Sequence, residues 1–200
     1  SDMGKNVFVV VMTNAYVGAP EIFTEEIMDR VRKEALESHK ILGVKQTVFA
    51  DFPAPRLDTF AVYQMANYLG ELLRKFNIDT MFIPHRGDVH LDHKRVYEAS
   101  LVAARPQGTY SVSRVYAYET LSETEWAAPF PEDNFIPNVF INIEDAIDYK
   151  IEAFAVFESQ VREFPHPRSK KGIKVLSEHR GSVVSINAVE AFSLVREIVK

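Results

Sequence analysis

The sequence predicts an α/β fold in which a mostly parallel sheet carries helices on both faces. Short runs rich in β-branched residues alternate along the chain with longer segments of helical periodicity. The order strand, helix, strand, helix is typical of parallel sheets. A length of 200 residues with 46% hydrophobic content is enough for one sizeable core. We therefore expect residues 1–200 to form a single domain.

The first half of the chain contains three predicted strands and two predicted helices. The run from Val7 to Met12 is continuously apolar, as in strands that are buried on both faces of a parallel sheet. The segment from Glu25 to Leu42 has helical periodicity and is followed by Gly43, a residue type that commonly ends helices. The next predicted elements are a strand at 46–52, a helix at 60–76 and a strand at 79–83.

The second half is less regular. A helix is predicted from Lys94 to Ala104, and the segment from Val112 to Tyr118 has the β-branched and aromatic content of a strand. The segment from Leu121 to Pro137 is predicted to be a loop. We expect a long amphipathic helix from Ile143 to Phe164 and a last helix from Ala188 to Val199.

Composition argues against several classes of function. The chain has 23 Lys and Arg against 28 Asp and Glu, and the basic residues are scattered, so neither nucleic acid nor an anionic membrane is the expected partner. Because there is no cysteine, any metal must be held by His, Asp or Glu. No apolar run near the N-terminus is long enough to span a bilayer, and no signal peptide precedes it. We expect a cytoplasmic protein, and assembly as a homo-oligomer stays open.

The segment Asp88-Val89-His90-Leu91-Asp92-His93 places two imidazoles and two carboxylates within six positions. It follows a predicted strand and precedes a predicted helix, the place where α/β folds bind ligands. In a first helical turn, His90 and His93 can both face one cavity, while Asp92 can cap the helix or orient an imidazole. A surface loop with two incidental histidines is the alternative for so short a motif. The position of the cluster favours an active site.

The string Asp88-x-His90-x-Asp92-His93, followed by a helix and Arg105-Pro106, resembles the second metal motif of the PIG-L/LmbE family of zinc-dependent N-acetylglucosamine deacetylases. Several other strings resemble family signatures in the family's order. These are Val10 to Asn14, Arg32 to Val44, Phe135 to Phe140, Phe164 to Ser169 and Glu190 to Phe192. The joint match is specific, and it implies a Rossmann-like, LmbE-like fold.

The resemblance implies a role for each residue of the cluster. His93 is expected to be a zinc ligand. Asp88 is expected to contact a zinc ligand without contacting the metal itself. His90 is expected to be protonated when it stabilises the tetrahedral oxyanion or delivers a proton to the departing amine, with Asp92 holding its tautomer. Zinc lowers the pKa of bound water from ~16 toward ~7 and polarises a carbonyl. The implied activity is zinc-dependent removal of the acetyl group from an N-acetylamino sugar, N-acetylglucosamine-like, or from its conjugate.

The sequence departs from the family at the metal site. The other two zinc ligands and the general base of the family lie in a His-Pro-Asp-Asp motif after the first strand, and no such string occurs here. Of the implied zinc ligands, only His93 is present. We expect the first strand and the first metal motif either to belong to a longer chain or to be absent, and a strand from elsewhere to fill the first strand's place in the sheet. A second departure is Phe52-Pro53-Ala54, which stands where many relatives have a carboxylate that contacts the sugar.

Three further residues are candidates for substrate binding. Arg32 resembles a family arginine that reaches the sugar hydroxyls, and a solvated helix charge explains it equally well. His166 and Arg168 lie in a segment braced by two prolines, which either lines the mouth of a pocket or is simply a rigid turn. Trp126, the only tryptophan, either stacks on a sugar face or anchors its loop.

Three functions remain open at this point. The first is a metal-dependent deacetylase acting on an N-acetylamino sugar or its conjugate. The second is a metal-free family member that binds a sugar ligand without hydrolysing it. The third is another metallohydrolase or hydratase chemistry on the same scaffold, because fold does not fix reaction.

Overall fold

The computed structural model describes residues 4–107 and 111–199, and strands and helices alternate along them. The strands are β1 (Phe8–Asn14), β2 (Gln46–Pro53), β3 (Thr80–Pro84), β4 (Arg114–Tyr118), β5 (Val139–Asn142) and β6 (Val189–Glu197). The helices are α1 (Ala15–Gly18), α2 (Glu25–Ile41), α3 (Val62–Lys75), α4 (Leu91–Ala103), α5 (Ile147–Ala155) and α6 (Lys170–Ser182). Among the described residues, no helix combines the length and the apolar character needed to cross a bilayer.

The chain divides into two compact units. The first unit contains the residues up to Arg56 together with Asn142–Glu190, and the second contains Leu57–Ile141 together with the residues from Ala191 onward. Each unit therefore combines two separate stretches of sequence.

The first unit is built on the parallel pair β1 and β2, which are in register from Phe8 opposite Gln46. Helix α2 connects the two strands. It begins at Thr24, whose hydroxyl accepts the N–H of Ile27 at 3.3 Å, and it is followed by Gly43 at φ 67°. Only glycine adopts this left-handed conformation without steric cost. The predicted strand, helix, strand order is confirmed for this part of the chain.

The second unit contains a mixed sheet with the order β3-β4-β6-β5. Strands β3 and β4 are parallel, from Thr80 opposite Arg114, whereas β4 and β6 are antiparallel. Helices α3 and α4 pack on each other. The buried core consists of apolar side chains from these helices and strands and from the residues next to them. They are Leu73, Ile83, Ala104, Val112, Val115 and Ala117. The prediction of an α/β fold is confirmed, while a mostly parallel sheet is confirmed only for two strand pairs.

Two predicted helices differ from the structure. The segment from Ala188 to Val199 contains β6, which pairs with β4 from Arg114 opposite Glu197. Its apolar residues fit a helix and a strand nearly equally well, and pairing along the second edge of β4 decides the outcome. The predicted long helix from Ile143 to Phe164 is only α5, and turns follow it.

The expected strand that completes the sheet is not found among the described residues. Within this part of the chain β1 pairs only with β2, and β3 pairs only with β4. Each of these two strands therefore has one edge without a strand partner.

The core of the second unit is sensitive to truncation at Met65, which is 0% exposed on α3. We expect Met65→Ala to lower the free energy of unfolding by about 2–5 kcal/mol, because the lost side chain leaves a cavity. Tyr63→Ala on the same helix is the control, since Tyr63 is 64% exposed and its loss should change stability by less than about 0.5 kcal/mol. Urea unfolding of both variants measures the difference, and equal effects would contradict this assignment of the core.

Candidate active site at the start of helix α4

Helix α4 begins inside the predicted cluster, three residues earlier than expected. His90 is its N-cap residue, and its Nδ1 accepts the backbone N–H of Asp92 at 3.2 Å. The expectation that Asp92 caps the helix is therefore wrong. An imidazole serves as cap because its Nδ1 reaches the first unpaired N–H groups of the helix, as an Asn or Asp side chain does. His93 consequently lies in the first helical turn.

A buried carboxylate orients His93. Asp88 is 0% exposed, and its Oδ2 lies 2.8 Å from Nδ1 of His93. Its Oδ1 accepts the hydroxyl of Thr124 at 2.6 Å. An ionised carboxylate can only accept hydrogen bonds, so Nδ1 of His93 carries a proton. The lone pair of the neutral ring is then on Nε2.

The two histidines hold opposite tautomers. The bond from the Asp92 N–H requires a lone pair on Nδ1 of His90, so the proton of the neutral ring is on Nε2. The rings of His90 and His93 are stacked, with centroids 5.1 Å apart and planes inclined by 15°. The pair therefore offers a lone pair on one ring and an N–H donor on its neighbour.

The carboxylate of Asp92 has a role different from the expected one. Its Oδ1 accepts the backbone N–H of Leu57 at 3.1 Å, and its Oδ2 is buried without a hydrogen-bond partner. The tautomer of His90 is fixed by the backbone N–H of Asp92 and not by this carboxylate. The side chain instead holds the short helical turn Leu57–Thr59 against the start of α4.

His85 is a further residue of the site that the sequence analysis did not select. It directly follows β3 and is only 6% exposed. Its Nδ1 accepts the N–H of Gly87 at 3.1 Å, and its carbonyl accepts the N–H of Asp88 at 3.3 Å. These two bonds close the turn at residues 85–88, which places the Asp88 side chain in contact with His93. Its position directly after a predicted strand is the signal that could have identified it.

The loop after β4 is hydrogen-bonded to the segment at residues 86–89. The guanidinium of Arg86 donates to the carbonyl of Glu132, and the N–H of Val89 donates to the carbonyl of Glu123 at 3.1 Å. The backbone of Asp133 approaches Gly87 so closely that a Cβ atom there would overlap its carbonyl oxygen. Trp126 on this loop is 54% exposed.

Two side chains near Asp88 have displaced pKa values. Burial lowers the pKa of His85 from its usual 6.5, and nearby Asp88 only partly opposes this effect. Burial, followed by repulsion from the same carboxylate, raises the pKa of Tyr118 to about 12. At neutral pH the His85 imidazole and the Tyr118 phenol are both neutral.

In the first unit, Arg32 belongs to a polar cluster at the carboxyl ends of β1 and β2. Its guanidinium forms an ion pair with Asp51 and lies over the ring of Phe49, 5.1 Å from the centroid. Asn14 donates to the same carboxylate at 2.9 Å. The segment Phe52-Pro53-Ala54 has no carboxylate, but Asp51, the residue before it in β2, has one. Its left-handed φ of 57° turns the strand at this point.

His166 and Arg168 lie together, in the first unit. The backbone N–H of Arg168 donates to Nδ1 of His166 at 3.0 Å, and its guanidinium donates to Gln160 at 2.7 Å. Nε of Arg168 is buried without a hydrogen-bond partner. The segment is thus a hydrogen-bonded turn.

The described residues do not form a complete metal site. No group of three His, Cys, Asp or Glu side chains within residues 4–107 and 111–199 is arranged to hold an ion. A catalytic zinc site uses three protein ligands, and Nε2 of His93 is one suitable ligand, with a carboxylate behind it. The donor set present here therefore does not fit a zinc ion by itself.

The model of the PIG-L family, described as GlcNAc-PI de-N-acetylase, matches residues 1–104. The chain belongs to the PIG-L family. The match includes the whole Asp88 to His93 cluster and confirms the resemblance seen in the sequence. This PIG-L protein is also 29% identical over 147 residues to the uncharacterized deacetylase YaiS of Escherichia coli, covering 71% of this chain and 69% of that protein.

Solved structures share the fold of this PIG-L protein. The N,N'-diacetylchitobiose deacetylase of Pyrococcus horikoshii has a TM-score of 0.73 at 21% identity, covering 96% of this chain and 74% of the deacetylase. The 4-carboxy-2-hydroxymuconate hydratase GalB of Pseudomonas putida has a TM-score of 0.74 at 18% identity, covering 100% of this chain and 88% of the hydratase. The fold is therefore one that carries both deacetylase and hydratase chemistry.

Burial of His85 makes the stability of this PIG-L protein depend on pH. Because its pKa is lower in the folded state, the unfolded chain binds the proton more readily, and stability falls as the pH drops below 6.5. His85→Asn removes the titrating ring while its side-chain oxygen can still accept the N–H of Gly87. We expect the variant to lose less stability than the wild type between about pH 7 and pH 5, as measured by urea unfolding. Parallel stability curves across this range would contradict the assignment.

Proposed function

We propose that this protein hydrolyses the acetamide of an N-acetylamino sugar or of its conjugate, with zinc as the cofactor. The observation that carries the proposal is the pair of oppositely protonated imidazoles, His90 and His93, in a chain of a de-N-acetylase family. Amide hydrolysis needs a site that activates water and a donor for the oxyanion formed at the acyl carbon. Water adds to that carbon, the C–N bond breaks, and the nitrogen takes up a proton, which yields acetate and an amino sugar.

His90 stabilises the oxyanion through Nε2–H. The bond between Nδ1 and the Asp92 N–H is compatible with hydrogen-bond donation from Nε2. Delivery of a proton would require a second proton on Nδ1, which would break this cap bond. Of the two roles implied by the resemblance, oxyanion stabilisation is therefore the better supported.

His93 would provide one zinc ligand through Nε2, with Asp88 fixing its orientation. The remaining ligands would have to come from outside the described residues. The open edge of β3 supports this view, because a parallel strand added there would bring its carboxyl end beside His85. A segment with the missing strand and the first metal motif would complete the domain in this way.

Sugar recognition is assigned to side chains of the first unit. Arg32 and Asp51 form a donor and acceptor pair, which suits adjacent sugar hydroxyls because each hydroxyl both donates and accepts. His166 and Arg168 are the other proposed substrate contacts, and the buried unpaired Nε of Arg168 supports this role. The proposed partner is thus a small carbohydrate.

A metal-free sugar-binding protein is the second candidate. It is favoured by the incomplete ligand set among the described residues. The test is incubation of the protein with N-acetylglucosamine and with N,N'-diacetylchitobiose, with and without added zinc, while primary amine and acetate are measured. Zinc-dependent release of both products supports the deacetylase, whereas calorimetric sugar binding without release supports the alternative. Turnover that needs no zinc would contradict the cofactor assignment.

The roles of the two histidines can be separated by substitution. We expect His93→Ala to lose both bound zinc and hydrolysis, because it removes the ligand. His90→Asn retains a side chain that caps helices well but lacks Nε2–H, so it should keep the zinc and lose about 10²- to 10³-fold in kcat. Zinc content by elemental analysis and amine release are the measurements. If His90→Asn loses zinc as completely as His93→Ala, the two roles are misassigned.

The sugar contact can be tested at Asp51. Asp51→Asn removes the charge but retains a residue type that tolerates left-handed φ. Loss of a hydrogen bond to a charged group costs about 1.5–3 kcal/mol, so KM should rise about 10- to 100-fold while kcat changes little. Asp29→Asn on α2, an exposed residue, is the control. An unchanged KM for Asp51→Asn would remove this carboxylate from the sugar site.

A further inference from the structure

Thr124 lies in the loop after β4, 36 positions from the residue that it contacts in the site. Its hydroxyl takes part in two short hydrogen bonds. It accepts the backbone N–H of Thr120 at 2.7 Å and lies 2.6 Å from Oδ1 of Asp88. Because the hydroxyl has a single proton and Asp88 can only accept, that proton points to Asp88.

We propose that Thr124 is a positioning residue that holds the carboxylate of Asp88, and through it the imidazole ring of His93, in one orientation. The bonds form one directed series from the Thr120 N–H through the hydroxyl of Thr124 to one carboxylate oxygen, while the other oxygen accepts Nδ1–H of His93. The backbone N–H at the start of the series can only donate and the ionised carboxylate can only accept, so each proton in the series has one position. The series leaves the lone pair of His93 on Nε2.

Burial makes this arrangement rigid. Asp88 is fully buried and has no solvent to replace a lost partner, and each of its two oxygens has one side-chain donor. Without the Thr124 hydroxyl, one oxygen of the carboxylate would be left without that donor, and the carboxylate could rotate to share its remaining donor between both oxygens. His93 would then no longer be held in one orientation.

Thr120 provides a matched comparison within the same turn. Its hydroxyl is also buried, but it has no hydrogen-bond partner, and only its backbone N–H enters the series. Thr120→Val and Thr124→Val therefore remove the same chemical group at positions four residues apart. Only the second change breaks the series.

The test reads the orientation of the His93 ring, by ¹⁵N and ¹³C NMR of the imidazole in the full chain before zinc is added. We expect the wild type, Thr120→Val and Thr124→Ser to show one sharp set of His93 ring signals, whereas Thr124→Val should show broadened or doubled signals because the carboxylate has lost one of its two donors. If Thr124→Val does not fold, Thr124→Ala compared with Thr124→Ser gives the same contrast between a lost and a retained hydroxyl. One sharp set of ring signals in every folded variant would overturn the proposal.

A second measurement rests on the proposed deacetylase function. Residues that orient a metal ligand through hydrogen bonds typically contribute 10- to 100-fold to metal affinity or activity. Thr124→Val should therefore lose about this factor in kcat with little change in KM. Thr124→Ser should recover most of the lost activity. Broadened or doubled ring signals in Thr124→Val, in a protein without any hydrolysis, would uphold the role of Thr124 and contradict the proposed function. Sharp ring signals in an active Thr124→Val enzyme would do the reverse.

Discussion

The fully buried carboxylate of Asp88 is the constraint on which the site depends. A charge without access to water is strongly unfavourable unless hydrogen-bond donors surround it, and here the imidazole of His93 and the hydroxyl of Thr124 supply them. The turn after β3 aims the carboxylate, and the loop after β4 brings the hydroxyl. Three separate segments of the second unit are thus held together by one charge that must be satisfied.

The start of helix α4 adds the second constraint. A helix leaves its first N–H groups unpaired, and Nδ1 of His90 accepts one of them. Capping therefore selects the tautomer of His90, just as the buried carboxylate selects that of His93. Two neighbouring rings of the same chemistry hold different tautomers because one contacts a backbone donor and the other an acid.

In the first unit, the carboxylate of Asp51 lies one position before the segment where the family resemblance would place a carboxylate. The parallel pair β1 and β2 has an irregularity between Val11 and Thr13, and Asp51 adopts a left-handed conformation. The carboxylate is thereby brought to Arg32 and Asn14. A comparison by sequence position alone assigns this part of the strand to apolar residues and misses the ion pair.

The α/β class, the early elements and the cluster from Asp88 to His93 could be predicted from the sequence alone, because local periodicity and short-range spacing encode these features. The contacts of Thr124 and His85 could not be predicted, since they depend on how distant loops meet. The segment from Ala188 to Val199 was misassigned, because its apolar residues suit either regular structure until pairing with β4 selects a strand. Hydrogen bonds and burial across long sequence separations are decided only by tertiary structure, because no local pattern specifies which groups will be brought together.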